Sequence, residues 1–300
     1  MARYAILSDI HANPIALNAV LKHIDEQESA VEGIWCLGDL VNYGMAPDLT
    51  LRTLRDRDIL DHCVQGNNDY AIGNSLTADS AISQLLADPE IAGRIKDPEV
   101  RLRRVTIMTS HNWTWSYISE RRTELLGELQ KLPSTLRRAG ALLLHASPCE
   151  PKGMEGNYLR DAADAEEAFY VLKGMDISIC FFGHTHLPTV FEQTTAERSF
   201  ANVQRLSPKN GEHVPLNGNK MLINPGSVGQ PRNRDPRAHY VIYNTQGYVE
   251  FHRVEYDLKV FQTTLDMERD AFEGNIPDRD RDLEPQVFNT LSERFQLGNW

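Results

Sequence analysis

The sequence predicts an α/β layered domain, and three observations carry that prediction. Over the first 69 residues, short apolar runs alternate with helix-length amphipathic patterns, as in parallel βαβ pairing. From Ala139 onward strand-like runs return with little helix between the later ones, which fits a second sheet packed on the first. Each early run also stops abruptly at a cluster of polar residues, where open α/β sheets place their sites.

Arg3 to Leu7 reads as a buried strand that ends in Ser8-Asp9-Ile10-His11. Pro14 opens a helix whose apolar face is marked by Ile15, Leu17, Val20, Leu21 and Ile24. Gly33 to Leu37 is a second strand, stopped by Gly38-Asp39; Pro47 to Arg57 is the next helix. Leu60 to Val64 reads as a third strand, stopped by Gly66-Asn67-Asn68-Asp69. Residues 74 to about 135 break the rhythm with helical patterns (Ala78 to Leu86, Thr114 to Leu132), and read as a helical insertion over one sheet edge. Within it Trp113, Trp115 and Tyr117 read as core packing, with a lid contact as the alternative.

After the insertion come a strand at Ala141 to Leu144 ending in His145 and a helix at Ala162 to Leu172. A strand at Ile177 to Phe182 then runs into Gly183-His184-Thr185-His186. Thr189 to Phe191, Met221 to Ile223, His239 to Tyr243 and Tyr248 to Val254 read as the strands of the second sheet, with a hairpin or loop excursion from Thr194 to Lys220. Residues 1–256 thus form one domain. Residues 257–300 form a helical tail too short to stand alone, placed to cover a sheet edge or to contact a second subunit.

Composition narrows the function. The 300 residues carry 31 Lys plus Arg against 42 Asp plus Glu, a net charge of -11, which disfavours nucleic acid or an anionic membrane as the main partner. An anionic substrate would need local cations. Cys36, Cys63, Cys149 and Cys180 show no paired spacing, so neither a cysteine metal site nor a cysteine nucleophile is indicated. No signal peptide and no run of about 18 apolar residues is visible, so the expected location is cytoplasmic. A homo-oligomer is left open.

The strand ends together carry Asp9, His11, Asp39, Asn67, His145, His184 and His186: two carboxylates, four imidazoles and one amide on one rim. Seven donors exceed the needs of one ion and suit two divalent ions about 3.5–4 Å apart, bridged by a carboxylate. Nitrogen and oxygen donors without cysteine favour Mn, Fe, Zn, Ni or Co.

In that order, Asp9-x-His11, Gly38-Asp39, Gly66-Asn67-Asn68-Asp69, His145 and Gly183-His184-x-His186 resemble the motifs of the calcineurin-like metallophosphoesterase superfamily. They are nearest to its prokaryotic phosphodiesterases and phosphatases. Asn224-Pro225-Gly226-Ser227 extends the likeness. The resemblance implies a four-layer α-β-β-α sandwich of two mixed sheets around a dimetal site. By motif match it implies Asp9, His11 and His186 on one ion, Asn67, His145 and His184 on the other, and Asp39 bridging. The implied reaction is hydrolysis of a small phosphorylated substrate by a hydroxide between the ions.

Two departures from the family pattern bear on the chemistry. Many relatives place a histidine where this chain has Asn68, positioned to protonate the leaving oxygen. An amide donates a hydrogen bond but transfers no proton near neutral pH. With Asp39 and Asn68 as the candidate catalytic residues, phosphodiesters, phosphoanhydrides and activated aryl monoesters are expected to react faster than alkyl monoesters. His111 or His213 could supply an acid, though both read as surface residues. Protein phosphatases of this superfamily also carry an arginine where Tyr43 precedes Gly44. Arg232 or Arg234 is the candidate replacement, with Arg232 as the substrate-binding choice, and Tyr43 lining the cleft and Ser227 hydrogen-bonding near the metals as further substrate-binding candidates. The alternatives are a symmetrical dinucleoside tetraphosphate hydrolase, a protein phosphatase, and a non-catalytic scaffold of the same fold. The scaffold is disfavoured because all seven ligand positions are filled.

Overall fold

The computed structural model describes residues 2–74, 97–153, 158–194 and 202–297. The chain opens with β1 (Arg3–Leu7), α1 (Pro14–Asp25), β2 (Gly33–Cys36), α2 (Pro47–Asp56) and α3 (Asn67–Gly73). Two helices follow, α4 (Pro98–Arg121) and α5 (Thr123–Lys131), then β3 (Thr135–Arg138), β4 (Ala141–Leu144), α6 (Ala162–Met175) and β5 (Ile179–Phe181). Next come β6 (Thr189–Gln193), β7 (Val203–Leu206), β8 (His213–Pro215), β9 (Lys220–Asn224), β10 (Ala238–Asn244) and β11 (Tyr248–Val254). The tail contains α7 (Leu258–Met267), α8 (Arg269–Glu273) and α9 (Glu284–Leu297).

Among the described residues the strands form two mixed sheets, ordered β2-β1-β10-β11-β8 and β3-β4-β5-β9-β6-β7. Period-two alternation of apolar side chains explains the layering, because both faces of the central strands are buried. Ile6 of β1 joins Leu143, Phe181, Ile223 and Val241 between the sheets, while its neighbours Ala5 and Leu7 face α1 and α2 on the outside. Leu142, Leu144, Cys180 and Phe182 point the other way, under Phe169 and Leu172 of α6. Helix, sheet, sheet and helix therefore stack as the expected four layers.

Three expectations need correction. The later strands do not make a sheet of their own: β6 and β9 extend the sheet of β4 and β5, whereas β10 and β11 pair antiparallel beside β1. The segment expected to be a third strand at 60–64 is a 3-10 turn at Leu60–His62, after which Cys63 makes one isolated parallel bridge to Cys36. Strand β3, which falls at the edge of the expected insertion, is a short and largely exposed partner of β4.

The helix expected at Ala78 to Leu86 lies outside the described residues. The one expected at Thr114 to Leu132 is resolved as two, with α4 beginning far earlier, at Pro98. The tail lies on this insertion. Phe261, Leu265, Phe272, Val287, Phe288, Leu291 and Phe295 close a separate apolar cluster with Trp113, Val105, Met45 and Tyr43. The tail is thus part of the same body, and Trp113 is core. No helix among the described residues is long and apolar enough to cross a membrane.

Candidate metal centre

Five chain segments deliver the side chains named above to one rim: the end of β1, the end of β2, the start of α3, the end of β4 and the turn after β5. The turns are tight. Asp9, His11, Asp39, Asn42, Tyr43, His184 and His186 all hold positive φ between 48° and 76°, a region that costs a side-chain-bearing residue of order 1 kcal/mol or more. Asp9 and His11 leave β1, Asp39 leaves β2, and His184 and His186 follow β5, so the strain aims the donors inward. Two glycines allow the close approach this requires. A Cβ on Gly66 would lie 2.2 Å from Asp39 Oδ1, and one on Gly183 would lie 2.0 Å from Ser8 Oγ.

Two groups of donors result, Asp9 with His11 and His186, and Asp39 with His145 and His184; within each, the donor atoms lie within 4.8 Å of one another. Asp39 joins the groups. Its Oδ2 is 3.7 Å from His11 Nε2 and 3.4 Å from His145 Nε2. Asn67 Oδ1 is 3.1 Å from His145 Nε2, so the amide belongs to the second group. All seven candidates therefore meet.

The donor set fits divalent cations, and the hydrogen bonds behind the imidazoles give the physical test. His11 Nδ1 faces the Val41 carbonyl at 3.3 Å, His145 Nδ1 the Leu37 carbonyl at 2.8 Å and His186 Nδ1 the Gln230 carbonyl at 2.5 Å. A carbonyl only accepts, so each Nδ1 carries a proton, and each ring when neutral turns its Nε2 lone pair to the centre. His11 Nε2 and His186 Nε2 then confront each other at 3.2 Å, and Asp9 Oδ1 is 3.2 Å from the latter. Lone pairs facing at that distance repel unless a cation sits between them. Asp9 Oδ1 is buried without a hydrogen bond, whereas Oδ2 accepts from Ser8 Oγ at 2.6 Å and from the His184 amide at 3.0 Å. One oxygen is fixed and the other is held open.

The electrostatics follow. Burial pushes the Asp9 carboxyl upward, but the imidazoles of His186, His145 and His11 together outweigh this and hold it well below the usual range. Asp39 is likewise held low, His145 and His11 together overcoming the effect of burial. Burial takes His11 down to about 3, with the charge of His186 adding to it, and takes His184 down to about 3 with His145 adding. His186 is lowered, first by burial and then by Arg232. His145 is the exception: burial opposes its charge, yet the adjacent Asp39 carboxylate raises it to about 10.

The other candidates are placed as follows. Asn68 donates its backbone amide to Asp39 Oδ1 at 2.9 Å and its side-chain amide to Asp39 Oδ2 at 2.5 Å, while its own Oδ1 accepts from Asn42 at 2.6 Å. Its carboxamide thus orients Asp39. Ser227 donates to the Asp9 carbonyl at 2.7 Å and accepts from the Gln230 amide at 2.8 Å, which ties the turn after β9 to the end of β1. Tyr43 is buried with its ring edge-on to His11, centroids 4.9 Å apart. Arg232 is half-buried, donates to Gln230 Oε1 at 3.4 Å, and lowers His11, His184 and His186 by its charge. Its positive charge therefore acts on both groups. His213 lies on the edge strand β8, 3.5 Å from Glu250 and stacked on Tyr248.

Several contributors carried no signal of their own in the sequence. Tyr158 stacks on His184 at 4.1 Å, and Gln230 orients His186 through a main-chain carbonyl that any residue would provide. Asp69 accepts from the amides of Leu40, Val41 and Gly66 and so ties the Asp39 turn to the start of α3. Its place two residues after Asn67 was the available clue.

The chain as a whole is similar to known proteins. Residues 3–247 match the calcineurin-like phosphoesterase superfamily domain. The crystal structure of a metallophosphoesterase from Sphaerobacter thermophilus superposes with a TM-score of 0.71 at 30% identity, covering 99% of both chains. An uncharacterized protein of Methanocaldococcus jannaschii, MJ0912, is 28% identical over 260 residues, which is 85% of this chain and 88% of that one.

Proposed function

Because the chain belongs to the calcineurin-like phosphoesterase superfamily, we propose that it hydrolyses phosphodiester, phosphoanhydride or activated phosphomonoester bonds of a small substrate with two divalent cations. The convergence of imidazole lone pairs on Asp9 and Asp39 supports this reading above all. Asp9, His11 and His186 would hold one cation, Asn67, His145 and His184 the other, and Asp39 would serve both. Such a pair neutralises phosphoryl oxygens and acidifies a water molecule enough to attack phosphorus near neutral pH.

The chain's own residues prepare that step. Asn68 fixes Asp39 through two hydrogen bonds, and Ser8 with the His184 amide fixes Asp9. Arg232 adds a guanidinium whose charge acts on both groups and which suits the non-bridging oxygens of the substrate. Asn68 gives the leaving oxygen no proton, which favours leaving groups stable as anions, aryl oxide or phosphate over alkoxide.

A hydrolysis panel on metal-reconstituted protein tests the reading. It sets bis-aryl phosphodiesters, aryl and alkyl monoesters, a dinucleoside tetraphosphate and a phosphopeptide side by side. Diesters, anhydrides or aryl esters are expected to lead, and Asp39→Asn to abolish turnover of all. Fastest cleavage of alkyl monoesters, or turnover surviving in D39N, would contradict it.

A further inference from the structure

We propose that Tyr158 and Arg160, beside the second donor group, form a clamp for a planar ring bearing an amino group, and that one arm of the substrate carries such a ring. The inference rests on the reading above and narrows it to substrates whose arm ends in a nucleobase or a simple arylamine.

A cavity of about 60 Å³ opens between the segment that follows β4 and the start of α6, and Ser147, Tyr158, Arg160, Asp164 and Glu167 are among its walls. Two of these walls touch the metal centre. Ser147 lies two residues beyond His145, and the Tyr158 ring stacks on that of His184, centroids 4.1 Å apart and planes 21° from parallel. The guanidinium carbon of Arg160 stands over the same Tyr158 ring at 5.8 Å. His184 fills one face of that ring, so the guanidinium takes the other.

The gap on that face is wider than the contact of stacked groups, which meet at about 3.5–4 Å. The Arg160 side chain is 71% exposed, and its 3.7 Å pairing with Asp164 is a surface contact of little energy, so it can swing outward to admit a ring. Phenol and guanidinium both stack on planar π-systems, whichever ring is offered. A ring lying on Tyr158 would sit roughly 8 Å from the His184 imidazole, within reach of a short ester arm.

The cavity wall adds a preference at the ring's edge. Asp164 Oδ2 accepts from the amides of Arg160 and Asp161 and so caps α6. Glu167 follows three residues later on the same face, is exposed, and has no hydrogen bond among the described residues. A carboxylate only accepts, so this wall suits a ring that presents N–H donors.

The test compares four phosphoanhydrides, the diphosphates of adenosine, of purine riboside, of methyl riboside and of an aminophenylpropyl group. Wild-type protein loaded with Mn²⁺ is expected to favour adenosine over methyl riboside through KM, by about tenfold or more in kcat/KM. Tyr158→Phe should keep that ratio and Tyr158→Leu should bring it near one; taking the ratio within each variant cancels any general damage. Arg160→Ala should lower it in part, and serves if the leucine variant does not fold. Glu167→Gln should reduce the preference for adenosine over purine riboside about three- to tenfold. Equal rates for adenosine and methyl riboside, or a ratio unchanged in Y158L and R160A, overturn the clamp. Equal rates for adenosine and purine riboside overturn the amino group. The aminophenylpropyl arm identifies the source: a base is indicated if adenosine leads it, a simple arylamine if it leads adenosine.

A second readout is independent of turnover. Metal-free protein titrated into aminopurine riboside should quench its fluorescence saturably by stacking, about tenfold more weakly in Y158L but not in Y158F. No saturable quenching by the wild type, or equal quenching by Y158L, refutes the clamp. Failure of the wild type to cleave these anhydrides and the diester panel alike would sink the hydrolase reading instead, and the titration would still decide the ring site.

Discussion

His11 and His145 hold matching places in the two donor groups, each with Nδ1 on a carbonyl and Nε2 near Asp39, yet they titrate in opposite directions. His11 is neutral down to about pH 3, burial dominating, while His145 keeps its proton to about pH 10 because Asp39 outweighs burial. Loading the group of His145 must therefore expel a proton that loading the group of His11 does not. Calorimetric metal titrations at pH 7.5, repeated in buffers of different ionisation enthalpy, should show about one proton released for one of the two binding steps and almost none for the other. The affinity of the proton-coupled step should rise with pH toward 10, about tenfold per unit. The seven donors were legible because each is a ligand type at the end of an apolar run. Tyr158 and Gln230 were not, since one acts by stacking and the other through a main-chain carbonyl that any residue would provide.

At the scale of elements, the tail and α4 depend on each other. Phe288 is fully buried between α8 and α4, edge-on to Phe272, and its truncation leaves a cavity that neighbouring helices fill only in part. Phe288→Ala should cost about 3–5 kcal/mol of stability, measured by urea unfolding. Partial release of α9 should also lower activity before the sandwich itself unfolds, because that helix packs against Tyr43. Element type was readable from periodicity; partnership was not. Residues 60–64 have the composition of a strand, but Asp61 and His62 lie outside the ladder and only Cys63 reaches Cys36. In the same way β9 and β10 are similar apolar runs separated by the loop at residues 225–237, and nothing local says that one joins β5 and the other β1. Long-range register decides, and it is written in packing across the sandwich rather than in either segment.

At the scale of the molecule, buried imidazoles set the response to acid. His11, His184 and His239 are each lowered to about 3, chiefly by burial, whereas an unfolded histidine titrates near 6.5. Between those values the unfolded chain takes up protons that the folded one does not, so stability falls as pH drops through that window. Each such histidine contributes a slope of at most about 1.4 kcal/mol per pH unit. His145, raised to about 10, acts on the alkaline side: its contribution is complete below about 6.5 and fades as pH rises through 10. Metal-free protein should accordingly show its highest urea midpoint near neutral pH, with the steeper decline toward acid. The layered fold was visible in the sequence because both faces of the central strands are apolar. The body made by insertion and tail was hidden, because strands β3 to β11 separate its two halves along the chain and the halves share no repeat.

The carbonyls behind His11, His145 and His186 have a practical consequence. They belong to the peptide links of Val41, Leu37 and Gln230, which survive any exchange of side chain. The rings are steered by the main chain itself, so point mutations around them leave tautomer and aim in place. Anyone wishing to retune which ion this protein prefers would have to exchange a donor, and the neutral amide of Asn67 is the natural place to begin, with aspartate as the replacement that adds charge and keeps shape.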